Sequence, residues 1–405
     1  MQEVIVIGGG VIGLTSAWWL LEAGHRVTLV EGQRVGQGSS YSNGGQLSYR
    51  YVSPLADAGV PLKALRWMTQ EAGPLRFKLE ADPRQWRWLL QFLAHCRADV
   101  NARTTARLLE LGEQSRQAMA RLFDVVPPAQ FGWREAGKLV VYRSADGFAA
   151  ARARAGSGKV LSPAECAALE PALADAQRLL AGGVYNAGEA VADCYAFCLA
   201  LERRLHAHPR FGGIVNASVR AIAVEQGRVG RLDTDGEPVR ADAYVLAAGI
   251  RSRDLAASAG IRLPLYPLKG YSLSAPIGPG AVGPQISVTD FERKVLYARI
   301  GDTLRIAAMV DMVGDDASID PRRVGALTKL VRQTMPRAAD YDRLAAWAGL
   351  RPATPSGAPI IGPTRYPNLW LNVGHGPLGF TFACGSAGLL ARAMAGHNSG
   401  FSLNT

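Results

Sequence analysis

The sequence predicts an α/β fold in which a Rossmann-like dinucleotide-binding domain is interrupted by an α+β unit containing an antiparallel sheet. Three observations lead there. The chain opens on Val4-Ile5-Val6-Ile7 followed by Gly8, Gly10 and Gly13 at G-x-G-x-x-G spacing. A second glycine motif stands near the far end, and short alternating segments separated by Gly and Pro lie between the two. At 405 residues and 48% hydrophobic, the chain can bury more than one core, so two intertwined domains are expected.

The opening unit is justified residue by residue. Four β-branched residues make a buried parallel strand. Gly8 permits the tight turn, Gly10 lets backbone approach a pyrophosphate, and Gly13 lets helix and strand pack closely. Val11 and Ile12 begin a helix whose free N–H groups face phosphate. The helix runs to Gly24, a natural C-cap, and Val27-Thr28-Leu29-Val30 forms the second strand. Glu31 ends that strand, where a carboxylate can accept both hydroxyls of an adenosine ribose.

From Gly36 to Gln46 the chain is polar and glycine-rich, the composition of a ligand-facing crossing. Helical patterns follow over 62–70, 86–96 and then a long amphipathic stretch to Phe123. A strand is expected over 137–142, a short helix from the capping box Ser162-Pro163-Ala164-Glu165, and a helix over 191–205. Strand patterns return at 215–224, 229–234 and 243–248. Antiparallel strands are expected over 265–308, helices to about Trp347, then a strand at 369–373, a glycine turn and a helix over 378–395.

Composition bounds the rest. The net charge of +11 is spread along the chain, which alone does not separate anionic membranes, nucleic acid and acidic ligands; with a small-molecule substrate read from the motifs, no nucleic-acid partner is expected. Cys96, Cys166, Cys194, Cys198 and Cys384 are scattered without a C-x-x-C pair, which suggests free thiols in a reducing compartment and no metal site. The first strand begins at once and no apolar run reaches eighteen residues, so a cytoplasmic location is expected. Over 60–97, Trp67, Phe77, Trp86, Trp88 and Phe92 interleave with Lys63, Arg66, Arg76, Lys78, Arg84 and Arg87. That mixture suits reversible contact with the inner face of the cytoplasmic membrane, or aromatic packing within the fold.

Gly374-His375-Gly376-Pro377-Leu378-Gly379 repeats the glycine spacing, yet only 26 residues follow, too few for a second nucleotide-binding unit. The helix it opens therefore serves the same cofactor, offering positive dipole to another electron-rich part of it. A flavin fits, because its N1–C2=O edge gains negative charge on reduction. NAD alone needs one site, and a disulfide reductase needs a cysteine pair that is missing.

With these pieces placed, the chain resembles the D-amino-acid oxidase superfamily of FAD enzymes, and within it the bacterial D-amino-acid dehydrogenases of the small-subunit type. The segments that carry the resemblance are Ser42-Asn43-Gly44-Gly45-Gln46, Val60-Pro61-Leu62-Lys63-Ala64, Tyr266 to Leu273, Gly349 to Pro355, and Leu369 to Ser386. After Gly396 the chain departs from it. The resemblance implies a FAD domain of glutathione-reductase-like topology over 1–50, 186–263 and 348–405, with a substrate domain over 51–185 and 264–347. It implies Gly8, Gly10, Gly13 and Glu31 on the ADP half of FAD, and Ser39, Ser40, Asn43, Gly44, Gly45 and Gln46 near pyrophosphate and flavin. It also puts Val219 at the adenine with Ala248 and Gly249 beside it, and Gly374, His375, Gly376, Leu378, Gly379 and Thr381 over the flavin ring.

Oxidising an amino acid at Cα requires the Cα–H held against flavin N5, an unprotonated amine and a fixed carboxylate. Orientation carries much of the rate, and no side-chain base is needed. Arg351, in a Gly-Leu-Arg-Pro context resembling the family's anchor, is the candidate grip for the carboxylate, since a guanidinium can donate two parallel hydrogen bonds; the alternative is a structural ion pair. Tyr271 either hydrogen-bonds substrate or packs. The expected activity is FAD-dependent oxidative deamination of D-amino acids to 2-oxo acids and ammonia, with electrons passed to a quinone or another acceptor. The alternatives are a D-proline or D-hydroxyproline dehydrogenase, a glycine or D-amino-acid oxidase, or a flavin-bearing electron relay within a larger complex.

Overall fold

The computed structural model describes residues 1–61 and 73–401. The helix expected over 62–70, with Lys63, Arg66 and Trp67, lies outside the described residues.

A six-stranded sheet carries both glycine motifs. Its order is Ile360–Pro363, Leu369–Val373, Ala243–Leu246, Glu3–Ile7, Arg26–Glu31 and Phe211–Asn216, parallel except at the Ile360–Pro363 edge. The β-branched run of the first strand follows from burial on both faces. Val4 and Val6 enter one core with Val27, Leu29 and Val245, while Ile5 and Ile7 enter another with Val30, Tyr244 and Leu246. Helix Val11–Glu22 follows the first turn and packs against Gly379–Met394 and Cys194–His206.

Three expectations are corrected here. The strand expected over 215–224 is two strands: Phe211–Asn216 closes the six-stranded sheet, and Val219–Glu225 pairs antiparallel with Arg228–Thr234 as a separate hairpin. The break falls at Ala217-Ser218, where Gly32 presses so closely that a Cβ on it would stand 2.2 Å from Ser218 Oγ. The helix expected from residue 191 starts at Cys194, because Asp193 caps it by accepting from the Tyr195 and Ala196 amides, while Ala190–Val191 pairs with Gln46–Leu47. The helices expected to Trp347 amount to Pro321–Thr334 and a single turn at Tyr341–Arg343; Ala345–Ala353 is a strand. Pairing along its whole length with Tyr266–Pro276 overrides local preference, and Pro352 is tolerated because this strand is an edge.

Among the described residues the second sheet has nine strands. In spatial order they are Ala345–Ala353, Tyr266–Pro276, Thr303–Met312, Val295–Ile300, Ser287–Asp290, Lys138–Tyr142, Gly182–Asn186 and Lys159–Leu161, with Leu75–Phe77 added beside Thr303–Met312. It is antiparallel except at two pairs, Ser287–Asp290 with Lys138–Tyr142 and Thr303–Met312 with Leu75–Phe77. One face packs on helix Pro321–Thr334 through Leu139, Val141, Tyr297, Ile306 and Leu327. The other face closes over the first sheet, and Ala345–Ala353 runs across the boundary expected at residue 348. Beyond the last helix the chain stays docked, with Ile361 N–H donating to Phe401 O and Ser399 Oγ donating to Ile361 O.

Candidate active site

A cavity of about 3190 Å³ lies between the two sheets. Single small-molecule pockets run to roughly 300–1,000 Å³, so this one has room for a dinucleotide and a second ligand together.

Its floor is the first glycine turn. Gly8 sits at φ +109, and a Cβ there would stand 2.7 Å from Ala247 O, so only glycine makes this turn against the neighbouring strand. A Cβ on Gly13 would stand 1.8 Å from Gly8 O, which is the close helix–strand packing read from the spacing. Gly10 differs: its added Cβ would meet only Ser40 Oγ, at 3.5 Å, because the position faces the cavity. Glu31 lies beside it, its carboxylate accepting from the Gly9 amide at 2.6 Å and the Gln33 amide at 2.8 Å.

Most of the expected cofactor residues border this one cavity: Gly8, Gly10, Val11, Ile12, Glu31, Ser39, Ser40, Asn43, Gly44, Gly45, Gln46, Val219, Ala248, Gly249, Gly374, His375, Gly376, Leu378 and Gly379. Gly13 and Thr381 do not. Gly13 packs beneath the turn. Thr381 is buried in helix Gly379–Met394, where its Oγ1 accepts from the Ser48 amide and its carbonyl accepts from Ser115 Oγ, so it holds the crossing loop in place. Ser40 Oγ accepts from the Val11 amide at the helix start, and Ser39 Oγ donates to Leu350 O.

The far wall is the second sheet, and its register sorts the two candidate catalytic residues. Leu268 is opposite Arg351 and Tyr271 is opposite Ala348, so with side chains alternating, Arg351 and Tyr271 point to opposite faces. Arg351 shares its face with Gly270. A Cβ on Gly270 would fall 2.0–2.2 Å from the Arg351 guanidinium, so that group lies flat across the bare glycine. Its Nη1 donates to Met309 O at 3.0 Å, and it forms no ion pair among the described residues. Burial draws its pKa down to about 10, against a smaller upward pull from Asp311. An unpaired, desolvated guanidinium opening on a cavity is a receptor for an anion.

Tyr271 packs in the core on the helix side of the sheet, and its hydroxyl donates to Asp311 at 3.3 Å. Burial and that carboxylate push its pKa up to about 12. The single proton of the hydroxyl goes to Asp311, on the face opposite Arg351, while Tyr271 also borders the cavity.

One cavity group, Lys138, carried no sequence signal, and two that the last glycine segment includes carry more than their backbone. Lys138 begins an otherwise apolar strand, yet its buried ammonium donates to Gln46 Oε1 at 3.0 Å and Ser48 Oγ at 2.7 Å and stands over the Tyr51 ring. Burial lowers its pKa to about 8, partly offset by Glu189, which itself accepts from the Tyr49 and Arg50 amides. His375 is buried, and desolvation holds its imidazole neutral with a pKa of about 3. Its Nε2 and the Asn372 Oδ1, both on the cavity wall, have no hydrogen-bond partner. Buried polar atoms without partners are rare, and at a cofactor site they mark positions that the ligand completes. With the open cradle at Gly10, they make the residues present a fit for FAD.

Of the aromatic and basic residues read over 60–97, Trp88 is buried, stacks on Phe92 and donates to Ala353 O, while Arg76 pairs with Asp311 and Asp320. Those side chains serve the fold. Trp86 is 47% exposed, and with Leu90 (68%) and Leu93 (50%) it forms an outward apolar face of helix Pro83–His95 that also borders the cavity. Among the described residues no helix is long and apolar enough to cross a membrane, and no cluster of metal-ligating side chains occurs.

The paired sheets, the glycine cradle and the orphaned polar atoms define a flavin-dependent oxidoreductase, and the family model described as FAD dependent oxidoreductase matches residues 3–393. The chain belongs to that family, and its cofactor is FAD. Among curated proteins it is 49% identical over 97% of its length to D-amino acid dehydrogenase 2 of Pseudomonas aeruginosa, covering 95% of that protein. It is 47% identical to the protein of the same description from Ralstonia nicotianae, over 97% of this chain and 96% of the relative. Among solved structures, glycine oxidase from Geobacillus kaustophilus superposes with a TM-score of 0.76 at 22% identity, covering 100% of this chain and 98% of that one, a likeness of fold.

Proposed function

We propose that this chain oxidises D-amino acids to 2-oxo acids and ammonia, in keeping with curated relatives described as D-amino acid dehydrogenase 2. The observation that carries the reading is the half-buried Arg351 guanidinium, without an ion-pair partner among the described residues, facing the cavity that the dinucleotide turn also lines. Gly8, Gly10, Glu31, the 39–46 crossing, Val219, Ala248, Gly249 and the 374–379 turn would hold FAD. FAD, when bound, takes up the electron pair and hydrogen that Cα gives up. The segments 1–50, 186–263 and 348–405 are assigned to the cofactor and 51–185 and 264–347 to substrate, with strand Ala345–Ala353 carrying Arg351 between them.

In this reading Arg351 grips the α-carboxylate and sets the angle at which Cα is presented. The amine enters unprotonated, the Cα–H bond breaks, and the C–N bond becomes an imine. Water then adds to the imine carbon outside any need for an enzyme base, releasing ammonia and the 2-oxo acid. Orientation against a fixed cation supplies the acceleration. Anaerobic titration of the purified flavoprotein against a panel of D- and L-amino acids tests it. Bleaching of the bound flavin by D-amino acids is expected, and a flavin bleached only by L-amino acids, or by none, would overturn it.

Electrons then pass to a quinone or another acceptor, and Trp86, Leu90 and Leu93, with Lys78 and Arg87 nearby, would rest on an anionic bilayer at the cavity mouth. Co-sedimentation with anionic vesicles should fall when Leu90 and Leu93 become serine. Equal recovery of both forms in the supernatant at low salt would remove the idea.

A further inference from the structure

The strand that faces Arg351 is irregular where the guanidinium meets it. Lys269 is opposite Asp311 and Tyr271 is opposite Ala308, so two residues, Met309 and Val310, stand against the single Gly270. This is a β-bulge, and bulges re-aim side chains beside active sites. Met309 adopts φ +65, a left-handed conformation that a methionine rarely takes, and the carbonyl so turned is the one that accepts from Arg351 Nη1.

The bulge is fixed from outside. Val310 N–H donates to Pro74 O, and Val310 pairs with Leu75 on the added strand. Asp311, with no exposed surface, is gripped by Arg76 and Arg323 at 2.8 Å each. A strained residue persists only where its surroundings over-determine it, and such residues cluster at functional sites. Opposite the bulge, a side chain at Gly270 would occupy the volume of the guanidinium itself.

We propose that Gly270 and the Met309 bulge form a positioning device that holds Arg351 flat and aimed, making them positioning residues for recognition of the substrate α-carboxylate. The bare Cα gives the guanidinium a floor, and the Met309 carbonyl takes one of its N–H groups, leaving the opposite edge of the fork for the carboxylate. This rests on the reading of Arg351 as carboxylate anchor.

A double-mutant cycle tests it on the FAD-loaded enzyme with D-alanine, alongside propionate binding followed by the flavin spectrum. Gly270→Ala should raise KM at least tenfold and weaken propionate equally, with kcat changed less than threefold and FAD content normal. In an Arg351→Ala background the same change should add less than twofold, because it acts only through the guanidinium. Met309→Gly, which takes the left-handed conformation without strain, should hold propionate at least threefold more tightly than Met309→Ala, which favours negative φ and so tends to turn the carbonyl away from Arg351. It should also melt higher than Met309→Ala. A full-sized Gly270→Ala effect in the Arg351→Ala background, or propionate binding equal in Met309→Gly and Met309→Ala, would overturn the proposal while leaving the anchor intact. Unchanged propionate binding in Arg351→Ala alone would instead overturn the anchor reading, and this proposal with it.

Discussion

Replacing Arg351 by methionine should leave the protein more stable in the absence of substrate while nearly abolishing turnover. Burial draws the guanidinium pKa down to about 10, from an ordinary value above 12. At 1.36 kcal/mol per pH unit, that gap means the fold bears about 3 kcal/mol to keep the charge desolvated. The hydrogen bond to Met309 O returns about 1–2 kcal/mol of it. Methionine fills similar space without the charge, so the variant should gain roughly 1–2 kcal/mol, a rise in Tm of about 1–3 °C for a chain of 405 residues. The guanidinium is charged in both native and unfolded chains below about pH 10, so the gain should not vary with pH across the working range. Turnover should move the other way. A carboxylate left unpaired in a desolvated site loses about 3–5 kcal/mol, a fall in kcat/KM of about a hundredfold to several thousandfold. Arg351→Lys should recover only part of it, since an ammonium has no two-pronged edge. Calorimetry at matched FAD saturation and steady-state kinetics with D-alanine give both numbers. A methionine variant that melts lower than the parent and keeps its kcat/KM would show that Arg351 braces the fold.

Gly10→Ala and Gly13→Ala should separate cleanly: the first has room in the protein and should fold but lose FAD, while the second forces strand and helix apart and should cost at least about 3 kcal/mol of stability, read by FAD content and thermal melting. Burial keeps native His375 neutral down to about pH 3, so between 6.5 and 3 the unfolded chain binds a proton that the native one does not, and stability falls as pH drops through that window. His375→Gln should therefore spare about 2 kcal/mol of the loss between pH 6.5 and 5, measured by denaturant unfolding. Lys138 works in the opposite range. Its native pKa of about 8 lies below its ordinary 10.5, so the unfolded chain keeps the proton longer and stability rises with pH across that interval; Lys138→Met should lack up to about 3 kcal/mol of this rise.

The dinucleotide turn was legible because its constraints are local. The spacing of Gly8, Gly10 and Gly13 already assigns three roles, and the room around each differs accordingly. The relation between Arg351 and Tyr271 was not, since it depends on one parity in the pairing of Tyr266–Pro276 with Ala345–Ala353. A one-residue change of register would exchange their faces. Nothing about a methionine announces a left-handed backbone, so the Met309 bulge was invisible, although Gly270 in the middle of a strand is the usual hint of a close approach. Lys138 was hidden for a similar reason: its partners Gln46 and Ser48 arrive from a distant loop.

The six-stranded sheet is assembled from pieces far apart in the chain, and this sets a timetable for its birth. Strand Glu3–Ile7 leaves the ribosome before the other strands of its sheet, yet one of its two neighbours is Ala243–Leu246, and helix Gly379–Met394, which closes the other end of the site, comes 372 residues after Ile7 (379 less 7). At about 5–20 residues per second, the nascent glycine turn waits roughly 20–75 s for its walls. For the earlier part of that interval, until Ala243–Leu246 emerges, a β-branched edge with no partner is exposed to whatever other chains are nearby. Loading of FAD therefore waits on the synthesis of that helix, because the cradle at Gly8 and Gly10 and the turn at 374–379 border one cavity only once both are present.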